Sequence, residues 1–158
     1  MSAFENIPRI TPFLWFDTNA EEAVDLYVAV FKNARKIGVM RSSADTPRGP
    51  KGSVLTVSFE IEGLHFTAMN GGPGHKFTDA ISFVITCDTQ QEIDHYWTKL
   101  TADGGSEVAC GWLKDKFGLS WQVVPARMGE LLKHPKAMQA MMQMKKLDIA
   151  VLENAGKE

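Results

Sequence analysis

The side chains of this chain that are able to do chemistry gather on two short apolar stretches. In LHFTAMN, strand alternation puts His65, Thr67 and Met69 on one face. In LSWQVVP it puts Ser120, Gln122 and Val124 on one face and turns Trp121 to the other. An imidazole, hydroxyls and a carboxamide in such rows can hold a small molecule by hydrogen bonds, and the imidazole can exchange a proton near neutrality. The remaining histidines, His75, His95 and His134, fall on a loop, a helix and the start of the C-terminal tail. The four together form no H-x-x-x-H or comparable metal spacing. Cys87 and Cys110 make no C-x-x-C pair; they read as small buried hydrophobes of a reduced, cytoplasmic protein.

Three further stretches invite a functional reading and fit a plainer one. The glycine cluster MNGGPGHKF, Met69–Phe77, follows a strand as a nucleotide cradle would. Yet FTDAISFVIT behind it reads as another strand, where a cradle requires a helix N-terminus. It is read as a linker between two modules, with His75 at the rim of a pocket. TPRGPKG, Thr46–Gly52, carries Arg48 and Lys51 and reads as a solvated connection between strands. Lys114-Asp115-Lys116 reads as a solvated turn.

The elements that must position these residues are written twice. ITPFLWF is a strand, and the helix DTNAEEAVDLYVAVF follows it with Asn19 as N-cap, Glu22 three residues on, and Ala23, Leu26, Tyr27 and Val30 at helical spacing. AISFVITC and DTQQEIDHYWTKL repeat this unit. Thr89, Glu92, Ile93, Tyr96, Trp97 and Leu100 occupy the same places at one constant offset of 70 residues. Three strands complete each half: ARKIGVMRS, GSVLTVSFEIE and LHFTAMN in the first, SEVACGW, LKDKF and LSWQVVP in the second. The sequence thus predicts an α+β fold of two tandem βαβββ modules, about 8–72 and 78–126, forming one domain over residues 1–158. A helical tail, 127–156, follows, with PKAMQAMMQMKKL as one helix and Asp148 capping a last one.

Composition narrows the function classes. The chain has 158 residues, 44% hydrophobic and 23% charged, with a formal net charge of -2. That charge argues against nucleic acid as a partner. No apolar run is long enough to span a membrane, and the N-terminus has no signal-peptide layout.

The stretches ITPFLWFDTNAEEAVDLYVAVF, FTDAISFVITCDTQQEIDHYWTKL, CGWLKDKFGLSWQVVP and MMQMKKLDIAVLENA resemble the PhnB-like branch of the vicinal oxygen chelate superfamily. That branch carries the name 3-demethylubiquinone-9 3-methyltransferase; the superfamily also includes glyoxalase I, extradiol dioxygenases and bleomycin-resistance proteins. The resemblance implies a cupped mixed sheet, a homodimer, and a small-molecule pocket between the modules. Candidate lining is His65, Thr67, Met69, Ser82, Ser120 and Gln122, with Leu14, Phe16, Phe83 and Val124 as apolar walls and Tyr27, Trp97 and Trp121 in the core behind the sheet. Metal-dependent relatives hold a divalent ion with four residues, from the first and fourth strand of each module. Here these positions map to Pro12, Thr67, Ile81 or Ser82, and Gln122, a set without imidazole or carboxylate. No metal and no cofactor are therefore expected, and no S-adenosylmethionine cradle is legible. A metal-free small-molecule binding module is the leading expectation. The alternatives are an enzyme of the superfamily, as metal-dependent catalyst or transferase, and an assembly or regulatory subunit.

Overall fold

Apolar residues at helical spacing beside runs of period two build the same layered unit twice. The computed structural model describes residues 7–157, and the chain divides into two units, Met1–Lys76 and Phe77–Glu158. The first contains β1 (Phe13–Phe16), α1 (Ala20–Val30), β2 (Ala34–Arg41), β3 (Val54–Ile61) and β4 (Leu64–Asn70). Its sheet order is β1-β4-β3-β2, with β1 parallel to β4 and the other pairs antiparallel. Glu62 and Gly63 both take positive φ, the two-residue turn that matches the twist of a β3–β4 hairpin. Ala23, Val24, Tyr27 and Val30 of α1 are buried, as are Leu14, Phe16, Val57, Phe59, Phe66 and Ala68 of the sheet. Tyr27 stacks on Phe59, and Phe59 on Phe66. Each such ring taken fully out of water contributes about 1.5–3 kcal/mol.

The second unit contains β5 (Phe83–Cys87), α2 (Gln90–Thr101), a short 3-10 turn, β6 (Ser106–Glu107), β7 (Trp112–Lys114) and β8 (Ser120–Pro125). Its order, β5-β8-β7-β6, repeats that of the first sheet. Both βαβββ modules are therefore present, each with a four-stranded mixed sheet. Ile93, Tyr96, Trp97 and Leu100 are all buried, as their spacing predicts. Among the described residues no helix is long and apolar enough to cross a membrane.

Several local expectations need correction. Thr89 caps α2 through its side chain, accepting from Glu92 N at 3.2 Å, but Asn19 makes no such bond at α1. Asn70, at the end of β4, does that work from a distance. Its Oδ1 accepts from Ala20 N at 2.9 Å, and its Nδ2 donates to Glu21 Oε1 at 2.7 Å and Val54 O at 3.0 Å. In the second module SEVACGW is not one strand. The chain turns at Ala109–Gly111, with Cys110 and Gly111 at positive φ, and Trp112 opens the next strand. Gly111 is required twice over: a Cβ there would meet Val123 O and Leu147 Cδ1 at 3.0 Å.

The tail forms α3 (Met128–Leu131), α4 (Pro135–Met141) and α5 (Ile149–Ala155). Helix α4 stops at Met141 and does not run on to Leu147. The carbonyls of Met144 and Lys145 instead accept the backbone N–H groups of Cys110 and Gly111, both at 2.8 Å, and Leu147 is fully buried. Gln90 fixes the docking, donating to Leu147 O at 3.0 Å and accepting from Ile149 N at 2.9 Å. Asp148 caps α5 as expected, accepting from Val151 N.

Candidate functional site

In the first unit, strand register assigns the faces. His65 lies opposite Glu60, Thr67 opposite Ser58 and Phe13, and Met69 opposite Thr56 and Trp15. These eight residues share the face turned away from α1. Leu14 and Phe16 do not line it: Leu14 pairs with Ala68 and Phe16 with Asn70, both on the helix side, so Phe13 and Trp15 are the apolar residues of β1 on the polar face. The first strand is thus set one residue from the expected register, and one residue reverses the face.

His65, Thr67 and Met69 stand on this one face of β4. His65 Nε2 meets Glu60 Oε2 at 3.0 Å, and Glu60 is also bridged by Arg35 at 3.4 Å. A neutral His65 in that contact carries its proton on Nε2, so Nδ1 is left as an acceptor. That Nδ1 is buried with no protein partner, and the same holds for Thr56 Oγ1. Thr67 is 1% exposed. At the end of the face the glycine cluster closes over Trp15. The indole Nε1 donates to Gly72 O at 2.9 Å, Arg48 lies 5.2 Å above the ring, and His75 meets its edge at 4.7 Å. A Cβ on Gly71 would fall 2.2 Å from the ring, so only glycine fits there. No helix stands between β4 and β5, so this segment is not a strand–turn–helix cofactor cradle.

In the second unit Gln122 and Trp121 part as alternation predicts. Trp121 is 3% exposed, lies opposite buried Leu113, and meets Phe83 at 5.7 Å on the side covered by α2. Phe83 therefore belongs to the core side and is no pocket wall. Gln122 is half-buried on the other face, and its Nε2 donates to Ser82 Oγ at 2.9 Å. Ser120 shares that face; it is 1% exposed and its Oγ has no partner. Val84 of β5 and Trp112 of β7 lie opposite Gln122, and Lys114 lies opposite Ser120. Trp112 escaped the sequence reading because β7 begins one residue earlier than LKDKF suggests, and Lys114 because Lys114-Asp115-Lys116 reads as a solvated turn.

Asp115 is the largest departure from expectation. It is 2% exposed and is no solvated turn residue. Its Oδ1 accepts from Phe117 N at 2.9 Å and Leu119 N at 3.1 Å, and its Oδ2 from Trp121 Nε1 at 3.0 Å. One carboxylate thus shapes the β7–β8 turn and anchors the indole, which sets the face on which Gln122 stands.

The fit of a metal can be tested on the register. The residues beside Thr67 and Gln122 on the first strand of each module are Phe13 and Val84, in place of Pro12 and Ile81 or Ser82. Neither pair, phenylalanine with threonine or valine with glutamine, offers donors for a divalent transition metal. Among the described residues no three His, Cys, Asp or Glu side chains group as a metal site.

The two cysteines differ. Burial, with help from Glu92 and Asp88, pushes the Cys87 thiol up to about 12, whereas Cys110 is half-buried in the turn before β7. Iodoacetamide at neutral pH is expected to label Cys110 and to reach Cys87 only after denaturation, read by peptide mass spectrometry. Equal labelling of both in the native protein would contradict the packing of β5 against α2.

Comparison with known proteins follows the same lines. The family described as 3-demethylubiquinone-9 3-methyltransferase matches residues 8–124. A solved Bacillus cereus structure described as a 3-demethylubiquinone-9 3-methyltransferase, PhnB protein, is 33% identical, with a TM-score of 0.67 over 75% of this chain and 100% of that one. A Pseudomonas aeruginosa protein is 20% identical, with a TM-score of 0.59 over 75% of this chain and 98% of its own. The fosfomycin resistance protein FosX of Listeria monocytogenes is 17% identical, with a TM-score of 0.50 over 78% and 97%. The last two are likenesses of fold alone. No functionally curated protein matches the chain.

Proposed function

This chain belongs to the 3-demethylubiquinone-9 3-methyltransferase, or PhnB-like, family of the vicinal oxygen chelate superfamily, and from that premise we propose that it is a small-molecule binding module working without a resident metal. The carrying observation is that Thr67 and Gln122, the fourth-strand positions where the resemblance expects metal ligands, stand beside Phe13 and Val84 in the register of their own sheets. Gln122 keeps an acceptor and adds a donor but has no charge, so it suits an organic ligand better than a cation. Ser82 and Ser120 on the sheet of Gln122, and His65, Thr67 and Met69 on the sheet of the first unit, are proposed as ligand-binding residues of their own faces.

A homodimer in the cytoplasm completes the reading. Phe13 and Val84 remain 49% and 54% exposed on the polar faces of their sheets, apolar area that a second copy or a ligand would cover. Both cysteines are unpaired, as a reducing compartment requires. Methyl transfer is not part of the proposal, because the chain has no strand–turn–helix cradle at its glycine cluster.

Native mass spectrometry of protein purified from cells tests this directly. A dimer retaining an organic molecule, and no divalent ion, is the expected result. Gln122→Ala should lower stability by only about 0.5–1.5 kcal/mol, the cost of its bond to Ser82, yet weaken retention of that molecule about tenfold or more. A stoichiometric divalent ion on the wild-type protein would overturn the reading.

A further inference from the structure

We propose that the face formed by β7 and β8 is a site for a small, flat organic anion, with Lys114 as its charge partner, Ser120 as a hydrogen-bond donor, Gln122 as an acceptor and Trp112 as its wall. This rests on the binding-module reading and names the ligand class and two residues outside it. The register places the four together: Lys114 opposite Ser120, and Trp112 opposite Gln122, on the face that α2 does not cover.

Each group has unused capacity. Lys114 is a half-buried residue that no acidic side chain among the described residues bridges, and an ammonium without a counter-ion favours an anion. Ser120 is 1% exposed and its Oγ has no partner. A buried hydroxyl left in that state costs about 1–3 kcal/mol, which a ligand oxygen beside it recovers. Gln122 spends Nε2 on Ser82, which holds the amide and leaves Oε1 as the atom to accept from a ligand hydroxyl or N–H. Trp112 and Val84 flank the amide and offer aromatic and aliphatic surface to a planar body.

Spacing sets the size of the ligand. Ser120 and Gln122 are two residues apart on one strand, about 6.8 Å. A carboxylate at the Lys114–Ser120 end and a hydroxyl at the Gln122 end, separated by one aromatic ring, span that distance. 4-Hydroxybenzoate is therefore the probe, with 4-hydroxybenzyl alcohol as its uncharged counterpart.

The test is a titration of the full chain followed by amide and indole NMR resonances. The acid is expected to shift Trp112, Lys114, Ser120 and Gln122 at about millimolar concentration, the range for a fragment of this size, and the alcohol to bind at least tenfold more weakly. Lys114→Gln should weaken the acid about tenfold or more, and Lys114→Arg should restore most of the loss. Ser120→Ala should weaken binding while leaving thermal stability equal or higher, which a purely structural serine would not do. The assignment is overturned if the acid shifts no resonance of β7 or β8, if Lys114→Gln binds it as wild type does, or if the alcohol binds equally well. Should those results come with an organic molecule still retained from cells through Gln122, the binding-module reading stands and only the anion class falls. Should nothing organic be retained, that reading itself fails.

Discussion

Trp121→Ala is expected to destabilise the protein by about 3–5 kcal/mol, against about 0.5–1.5 kcal/mol for its neighbour Gln122→Ala. The indole is 3% exposed, lies against Phe83 and opposite Leu113, and donates to a buried carboxylate. Removing it opens a cavity under the second sheet and takes one donor from the Asp115 carboxylate, so two costs fall together. Gln122 is one residue away and has neither liability: it is half-buried, and truncation breaks one bond to a serine hydroxyl. Urea unfolding of both variants measures the contrast. Should alanine at 121 fail to yield folded protein, Trp121→Phe keeps most of the packing and loses only the N–H, for an expected cost of about 1–3 kcal/mol. A large effect at Gln122 with a small one at Trp121 would reverse the faces of β8, and the candidate site with them.

The contrast between these two residues was legible in the sequence because strand alternation admits only two answers and an apolar neighbourhood selects one. The repeat was legible for a similar reason. Ala23, Tyr27 and Val30, and their counterparts Ile93, Trp97 and Leu100, must all face a core for either helix to be stable, and all are buried. What escaped is what depends on an end or on a distant partner. A one-residue error at the start of β1 exchanged Leu14 and Phe16 for Phe13 and Trp15 on the site face. The early start of β7 hid Trp112, and a stretch of three charged residues that reads as a solvated turn hid Lys114. Asn70 caps a helix that begins 50 residues earlier, and no local pattern encodes such a bond. The glycine cluster has no helix behind it, and its packing on Trp15 depends on a ring that arrives from another strand.

Asp115 shows the same limit most sharply, because a charged residue between two lysines reads as solvent-exposed until the turn is built. Asp115→Ala is expected to cost about 3–5 kcal/mol, comparable to losing the tryptophan, although only a carboxylate is removed. Its oxygens answer Phe117 N, Leu119 N and Trp121 Nε1, and a donor left buried without an acceptor costs about 1–3 kcal/mol. Asp115→Asn preserves the shape and one acceptor oxygen, but sets an amide N–H₂ against one of these donors, so a smaller loss of about 1–2 kcal/mol is expected. The informative measurement is the double-mutant cycle with Trp121→Phe. If the carboxylate positions the indole, the two losses overlap, and the double variant should be less destabilised than the sum by about 1 kcal/mol or more. Strict additivity would mean that the turn and the core residue are held independently. In that case the orientation of Gln122 would rest on strand pairing alone, and Asp115→Asn should leave ligand retention untouched. With coupling, the same substitution should weaken retention through the tilt of β8, without any contact between Asp115 and the ligand.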